Sequence, residues 1–236
     1  MSPIQDEWVS PDGSVRLILG DCLQVLPTLS GIDAVVTDPP YGISHRCDYA
    51  ARGRAKLAPC NSWDDIQGDR KPFDPSPILA LEKPSVLWGA NHFASRLPDS
   101  DGWLVWDKER PDDLQQSTCE LAWTNCIKGV RRLRHLWHGM MRASEQAEHY
   151  HPTQKPVALY EWVLGFRWIP NGTICDPYMG AGPCAVASVR TSRDFVGIEL
   201  ERLYWETAVR RVRAELERFP LFEQSVASLR QLELPG

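Results

Sequence analysis

The sequence predicts an α/β protein with a doubly wound, mostly parallel sheet of about seven strands and helices on both faces. Three observations carry this. Short apolar runs bounded by turn residues recur along the chain, and helical patterns fall between several of them. One run also opens directly into a glycine turn followed by small residues. The 236 residues fit one compact domain, and 43% hydrophobic with 24% charged residues is the balance of a globular chain. Disordered, collagenous and coiled-coil architectures are excluded on that balance.

The strands are expected at 15–19 (VRLIL), 34–37 (AVVT), 85–88 (SVLW), 103–106 (WLVW), 119–124 (CELAWT), 173–176 (TICD) and 194–198 (DFVGI). Helical patterns occupy 21–29, 76–82, 156–168 and 181–191. In a last helix Trp205, Val209, Val212, Leu216 and Phe219 form one apolar stripe, which suits either the core or a homodimer interface. Segments 42–75, 107–118 and most of 126–154 read as irregular, polar connections. Loops at the carboxyl ends of strands do the work in such sheets, so these are candidate substrate loops.

No apolar run is long enough to cross a bilayer, and MSPIQDEWVS lacks the basic flank and apolar stretch of a secretory signal. A cytoplasmic protein with no membrane partner is expected. Seven cysteines without a CxxC pair argue for reduced thiols and against a disulfide framework or zinc ribbon. No recognisable ligand spacing supports a metal.

The net charge of −5 conceals separation along the chain. Residues 128–142 carry Lys128, Arg131, Arg132, Arg134 and Arg142 with no acid, and 45–56 carry Arg46, Arg52, Arg54 and Lys56 against Asp48 alone. Two solvated loops would explain this, and so would local positive faces turned toward phosphate.

Strand 173–176 runs into Asp176-Pro177-Tyr178-Met179-Gly180-Ala181-Gly182 and then the small-residue helix PCAVASV. The turn lacks the third glycine of a dinucleotide fingerprint and the lysine of a phosphate loop. About twenty residues on, the next strand ends at Glu199, where an acid accepts both hydroxyls of a ribose or serves simply as a helix-cap acid. A ribose-bearing cofactor without phosphates, S-adenosylmethionine, suits the first reading.

Strand AVVT ends in Asp38-Pro39-Pro40-Tyr41. Two prolines remove two donors and stiffen the turn, leaving outward acceptors beside an aromatic ring. An exocyclic amine is a poor nucleophile because its lone pair is delocalised into the heterocycle. Acceptance of its N–H bonds by the Asp38 carboxylate and the Pro39 carbonyl would localise that pair for attack on a methylsulfonium, with Tyr41 stacked on the base. A base in a duplex must be flipped out to reach such a pocket. A plain strand-ending turn is the bland alternative.

Asp38-Pro39-Pro40-Tyr41, His151-Pro152-Thr153-Gln154-Lys155-Pro156 and the 176–182 turn, in that order, resemble the β-class amino-group DNA methyltransferases. The likeness runs from Gly20-Asp21-Cys22-Leu23 to Glu199, and WGANHF (88–93) and WLVWDKERP (103–111) are similar to small phage and prophage members. The resemblance implies an S-adenosylmethionine-dependent, Rossmann-like fold with permuted motif order, bacterial or phage-encoded, and a DNA partner. It implies one domain over 1–236, with a catalytic half at about 15–125, a short basic insertion at 126–150, a cofactor half at 151–205 and a C-terminal helix at 201–219.

By the same resemblance Asp38, Pro39, Pro40 and Tyr41 are catalytic. Asp176, Tyr178, Gly180 and Gly182 line the methionine end of the cofactor, and Glu199 holds the ribose. Asp21 meets the adenine amine with Cys22 beside it, while Thr153 and Lys155 sit near the cofactor's carboxylate. Arg46, Arg52, Arg54, Lys56, Arg131, Arg132 and Arg134 would grip phosphate. Two departures stand out. Pro183-Cys184 replaces the usual threonine or serine after the second glycine, and the 126–150 insertion is too short for a long reading surface, which implies relaxed or short-site specificity or help from a second subunit.

The expected reaction is methylation of adenine N6. Cytosine-N4 methylation is the main alternative, although those enzymes more often have serine in place of Asp38. RNA methylation and a non-catalytic binding subunit are lesser ones. Ring-carbon methylation needs a Pro-Cys nucleophile. Pro59-Cys60 and Pro183-Cys184 are such pairs, but neither stands at the required distance after a glycine cofactor loop.

Overall fold

The computed structural model describes residues 2–42, 71–111, 117–138, 141–145, 150 and 154–232, with backbone alone for His138, Met141 and 219–232. Arg46, Arg52, Arg54, Lys56 and Thr153 lie outside the described residues, as do His151 and Pro152.

The chain forms β1 (Ile4–Val9), β2 (Val15–Gly20), α1 (Cys22–Val25), β3 (Ala34–Thr37), α2 (Ser76–Leu79), β4 (Ser85–Trp88), β5 (Gly102–Asp107), β6 (Cys119–Thr124) and β7 (Val130–Arg134). It continues with β8 (Trp137–His138), β9 (Met141–Arg142), α3 (Val157–Leu164), β10 (Ile174–Asp176), α4 (Pro183–Arg190), β11 (Phe195–Glu199) and α5 (Arg202–Leu232). One nine-stranded sheet runs β1-β2-β11-β10-β3-β4-β6-β5-β7, and β8 and β9 make a separate antiparallel pair.

The five strands from β2 to β4 in that order are mutually parallel. Burial on both faces explains their near-continuous apolar character. Successive residues of β3 point to opposite sides, so Ala34 and Val36 enter one core with α3, α4 and α5. Val35 enters the other with Val25, Ile78, Phe73 and Phe93. In α5, Trp205, Val209 and Val212 are buried and Leu216 packs on the same core, so that part of the stripe is used within the chain.

All seven expected strands form. Strand β6 departs from the parallel expectation by running antiparallel to β4 and β5. Two further strands close the edges. In β1 half-buried and exposed residues alternate, and β7 is exposed at every position but Leu133. Main-chain pairing with β2 and β5 supports these edges, so they carry no apolar run for pattern reading to find. Part of the 126–154 connection is therefore ordered as β7 and the β8–β9 pair. Helix α3 stops at Gly165, short of the expected 168.

The fold positions the site through one crossing. From β3 the chain proceeds to β4 on one side, while from β10 it proceeds to β11 on the other. The carboxyl ends of β3 and β10 thus flank a switch point, where loops diverge and leave a crevice.

Candidate active site

Residues 38–41 leave the carboxyl end of β3 and meet three other segments. The Tyr41 hydroxyl donates to Asp38 Oδ1. Lys155 Nζ donates to Asp38 Oδ2 at 2.6 Å and to the Tyr41 hydroxyl at 3.0 Å. It also lies 2.9 Å from Glu120 Oε2, and Glu120 pairs in turn with Lys108 Nζ. Because β6 runs against β4, its amino end with Glu120 arrives at the same edge where β3 ends.

Lys155 is only 5% exposed and Lys108 only 8%. Burial would strip the charge from such lysines, but two carboxylates beside Lys155 hold its ammonium above the ordinary range. The carboxylates diverge. Burial works against ionisation of Glu120, yet Lys155 and Lys108 together draw it down to about 2. Asp38 has a single ammonium partner, and burial with the nearby Glu120 charge pushes its carboxyl above the usual value.

Tyr41 lies against Gly89, which follows β4 with φ +68°; a Cβ there would stand 1.9 Å from Tyr41 Cε1. Glycine is required on both counts. The His92 imidazole stacks on the Tyr41 ring at 4.9 Å with 14° between planes.

The glycine turn begins one strand away. Thr37 Oγ1 donates to Asp176 Oδ1 at 2.6 Å, which joins the ends of β3 and β10 through a buried bond. Asp176 also accepts from Tyr178 N at 3.1 Å, and burial pushes its carboxyl up to about 7. Gly180 N donates to Glu199 Oε2 at 2.9 Å and Glu201 N to Oε1 at 2.7 Å. Glu199 therefore braces both the glycine turn and the entry to α5. Burial raises its carboxyl to about 7 as well. Gly182, at φ +75°, turns the chain into α4, and Pro183 sits comfortably as the first helical residue.

Asp21 caps α1 by accepting from Leu23 N at 3.0 Å, and Cys22 is reached by the Tyr178 side chain. The donor set fits an S-adenosyl group: carboxylates at the tips of β11 and β10, main-chain N–H groups of a glycine turn and the Tyr178 ring on one edge, with no cluster of basic side chains among the described residues beside the turn to demand phosphates.

Three residues that pattern reading missed complete the frame. Glu145 accepts from Gln154 Nε2 at 3.2 Å, from Val157 N at 2.8 Å and from Arg211 Nη2 at 2.8 Å. Arg211 Nη1 donates to Ala181 O at 2.8 Å, so α5 supports the glycine turn directly. Glu120 carried a signal that could have been used, the one charged residue in the strand CELAWT. Cys184 is fully buried with its thiol toward Val36 O and raised well above its ordinary value by burial, which gives Pro183-Cys184 a structural part.

The basic residues of β7 are split. Arg131 shares the face of Leu133 and lies over the Trp168 ring at 5.9 Å, while Arg132 and Arg134 take the opposite face. Strand β7 runs parallel to β5, so Arg134 stands nearest the carboxyl edge, within 3.5 Å of Glu109 and 3.4 Å of Asp107. An open groove of about 750 Å³ lined by Trp8, Trp205 and Arg213 lies at the β1 edge, away from these loops. Among the described residues no three His, Cys, Asp or Glu side chains gather as a metal site.

Residues 83–210 match the family model described as DNA methylase, of the N6/N4 methyltransferases. Among curated proteins the chain is 24% identical to the Type II methyltransferase M2.LlaDCHI of Lactococcus lactis subsp. cremoris, over 83% of this chain and 88% of that protein. It is 26% identical to the Type II methyltransferase M2.DpnII of Streptococcus pneumoniae, over 79% and 84%. Its fold is similar to M1.HpyAVI solved with SAM, with a TM-score of 0.52, 22% identity and coverage of 84% of this chain and 99% of that one. The cytosine-N4-specific PvuII DNA methyltransferase aligns at a TM-score of 0.56 with 12% identity, over 88% and 89%.

Proposed function

The chain belongs to the N6/N4 DNA methylase family, an S-adenosylmethionine-dependent class of DNA methyltransferases, and from that premise we propose that it methylates the exocyclic N6 of adenine in DNA. The observation that carries this reading is the carboxylate of Asp38 at the end of β3, bonded to Lys155 and Tyr41 and one strand from the glycine turn.

S-adenosylmethionine supplies an electrophilic methyl on a positively charged sulfur. In the proposed arrangement Glu199 holds the ribose hydroxyls, Asp21 and Cys22 face the adenine, and Asp176, Tyr178, Gly180 and Gly182 surround the methionine end. Asp38 and the Pro39 carbonyl accept the two N–H bonds of the target amine, which localises its lone pair. The carboxylate must be ionised for this, and Lys155 opposes the burial that would protonate it. Tyr41 offers its ring to the flipped base, held from behind by Gly89. Pro39 and Pro40 keep the acceptors from turning away, since fixed φ angles leave the corner little freedom. Arg132, outside the carboxylate contacts that surround Arg134, is the β7 side chain we assign to phosphate.

Incubation with duplex DNA and methyl-labelled cofactor, followed by nucleoside chromatography, tests the proposal. N6-methyladenosine as its deoxynucleoside is expected, and Asp38→Ala should abolish its formation while cofactor binding persists. N4-methylcytosine as the product would overturn the adenine assignment.

A further inference from the structure

The Lys155 ammonium has three protons and three acceptors: Asp38 Oδ2 at 2.6 Å, Glu120 Oε2 at 2.9 Å and the Tyr41 hydroxyl at 3.0 Å. Two of these three partners belong to the proposed catalytic turn, and the Glu120 contact is an ion pair. The third, Glu120, sits on strand β6 and reaches the Tyr41 hydroxyl as well. Glu120 is fixed from behind by Lys108, which lies 5.1 Å over the Trp106 ring.

We propose that Glu120 is a positioning residue for methyl transfer: by sharing the Lys155 ammonium with Asp38, it sets where that ammonium stands and hence how Asp38 presents its free lone pairs to the target amine. The inference rests on the proposed role of Asp38. Each Asp38 oxygen already accepts one bond, Oδ1 from Tyr41 and Oδ2 from Lys155, and retains one further lone pair. If Lys155 had no second carboxylate, its charge would recentre on Asp38 and compete for those lone pairs. With Glu120 opposite, the pull is balanced between anions on β6 and on the turn after β3. Lys108 keeps the cluster neutral, two ammonium groups against two carboxylates, which lowers the cost of burying it.

The test compares wild type, Glu120→Gln, Glu120→Leu and Asp38→Ala in steady-state methylation of duplex DNA, with cofactor binding measured separately. Glu120→Leu removes the acceptor and is expected to lower kcat on the order of a hundredfold, with KM for the cofactor held within about twofold. Glu120→Gln keeps the shape and one acceptor and should lose only about five- to tenfold. If Glu120→Leu does not fold, the Gln variant decides alone. Unchanged kcat in Glu120→Gln overturns the inference, and so does equal loss in both variants or a rise in KM that matches the fall in kcat. Asp38→Ala separates the two failures. If it retains transfer, the role of Asp38 itself falls; if it is inactive while Glu120→Gln behaves as wild type, only the positioning role falls.

Discussion

Replacing Gly89 with alanine isolates the placement of Tyr41 from the rest of the site. The new Cβ would lie 1.9 Å from Cε1, 2.2 Å from Cζ and 2.4 Å from Cδ1 of that ring. Ordinary contact begins at 3.4 Å, so ring or backbone must yield by about 1.5 Å. The ring is not a free end, because its hydroxyl is bonded to Asp38 and Lys155. Two costs follow. The left-handed backbone at φ +68° costs alanine roughly 1–2 kcal/mol, and the overlap adds about 1–3 kcal/mol. At about 2–4 °C per kcal/mol for a chain of this size, the thermal midpoint should fall by several degrees. On the proposed roles, a displacement of this scale in the catalytic turn lowers kcat on the order of a hundredfold, while cofactor affinity, assigned to the glycine turn, should change little. The assay is labelled methyl transfer beside thermal unfolding, repeated in a Tyr41→Ala background. With the ring gone, only the backbone cost should remain and kcat should fall no further. Full activity in Gly89→Ala, or the same stability loss with and without Tyr41, would refute the reasoning.

Thr37→Val removes the buried hydroxyl donated to Asp176 while keeping the side-chain shape. It should cost about 1–3 kcal/mol by thermal or denaturant unfolding, and an unchanged midpoint would show that the bond joining β3 to β10 contributes nothing. The carboxyl of Glu199 titrates at about 7 in the folded protein, against 4.5 ordinarily. Between those values the folded state binds the extra proton, so this group's contribution to stability declines as pH rises from about 4.5 to 7. Cofactor affinity has the opposite sign if ionised Glu199 accepts the ribose hydroxyls. Measured by calorimetry, it should strengthen as pH rises toward 7, by up to about tenfold per pH unit on the acid side, and level off above. Asp176 titrates in the same range, so Glu199→Gln is the control and should flatten most of the profile. A wild-type profile already flat from pH 5 to 8 would remove Glu199 from the role proposed for it.

The parallel centre of the sheet and the two strand-ending turns at 38–41 and 176–182 were legible in the residues on physical grounds. A strand buried on both faces must be mostly apolar, as AVVT and TICD are up to the Thr37 and Asp176 that pair with each other at their ends, and turns that need proline or positive φ restrict which residues can stand there. Edge strands obey no such rule: IQDEWV and VRRLR pair through main-chain groups whatever their side chains are, and both escaped notice. Lys155 shows the limit at the site. The motif containing it could be recognised, but its reach to Asp38 and Glu120 depends on three segments that meet only after folding.

What the amino-acid order determined by itself was the set of local commitments: where strands and turns fall, and that Asp38-Pro39-Pro40-Tyr41 and the 176–182 turn each end a strand. The tertiary structure decided that those ends lie side by side, that Glu120 arrives from an antiparallel strand, and that Arg211 of α5 supports the glycine turn. The physical reason is range. Backbone preference and hydrophobic period act over a few residues, whereas a buried charge takes whichever partner the packed sheet brings within about 3 Å, however distant it is along the chain.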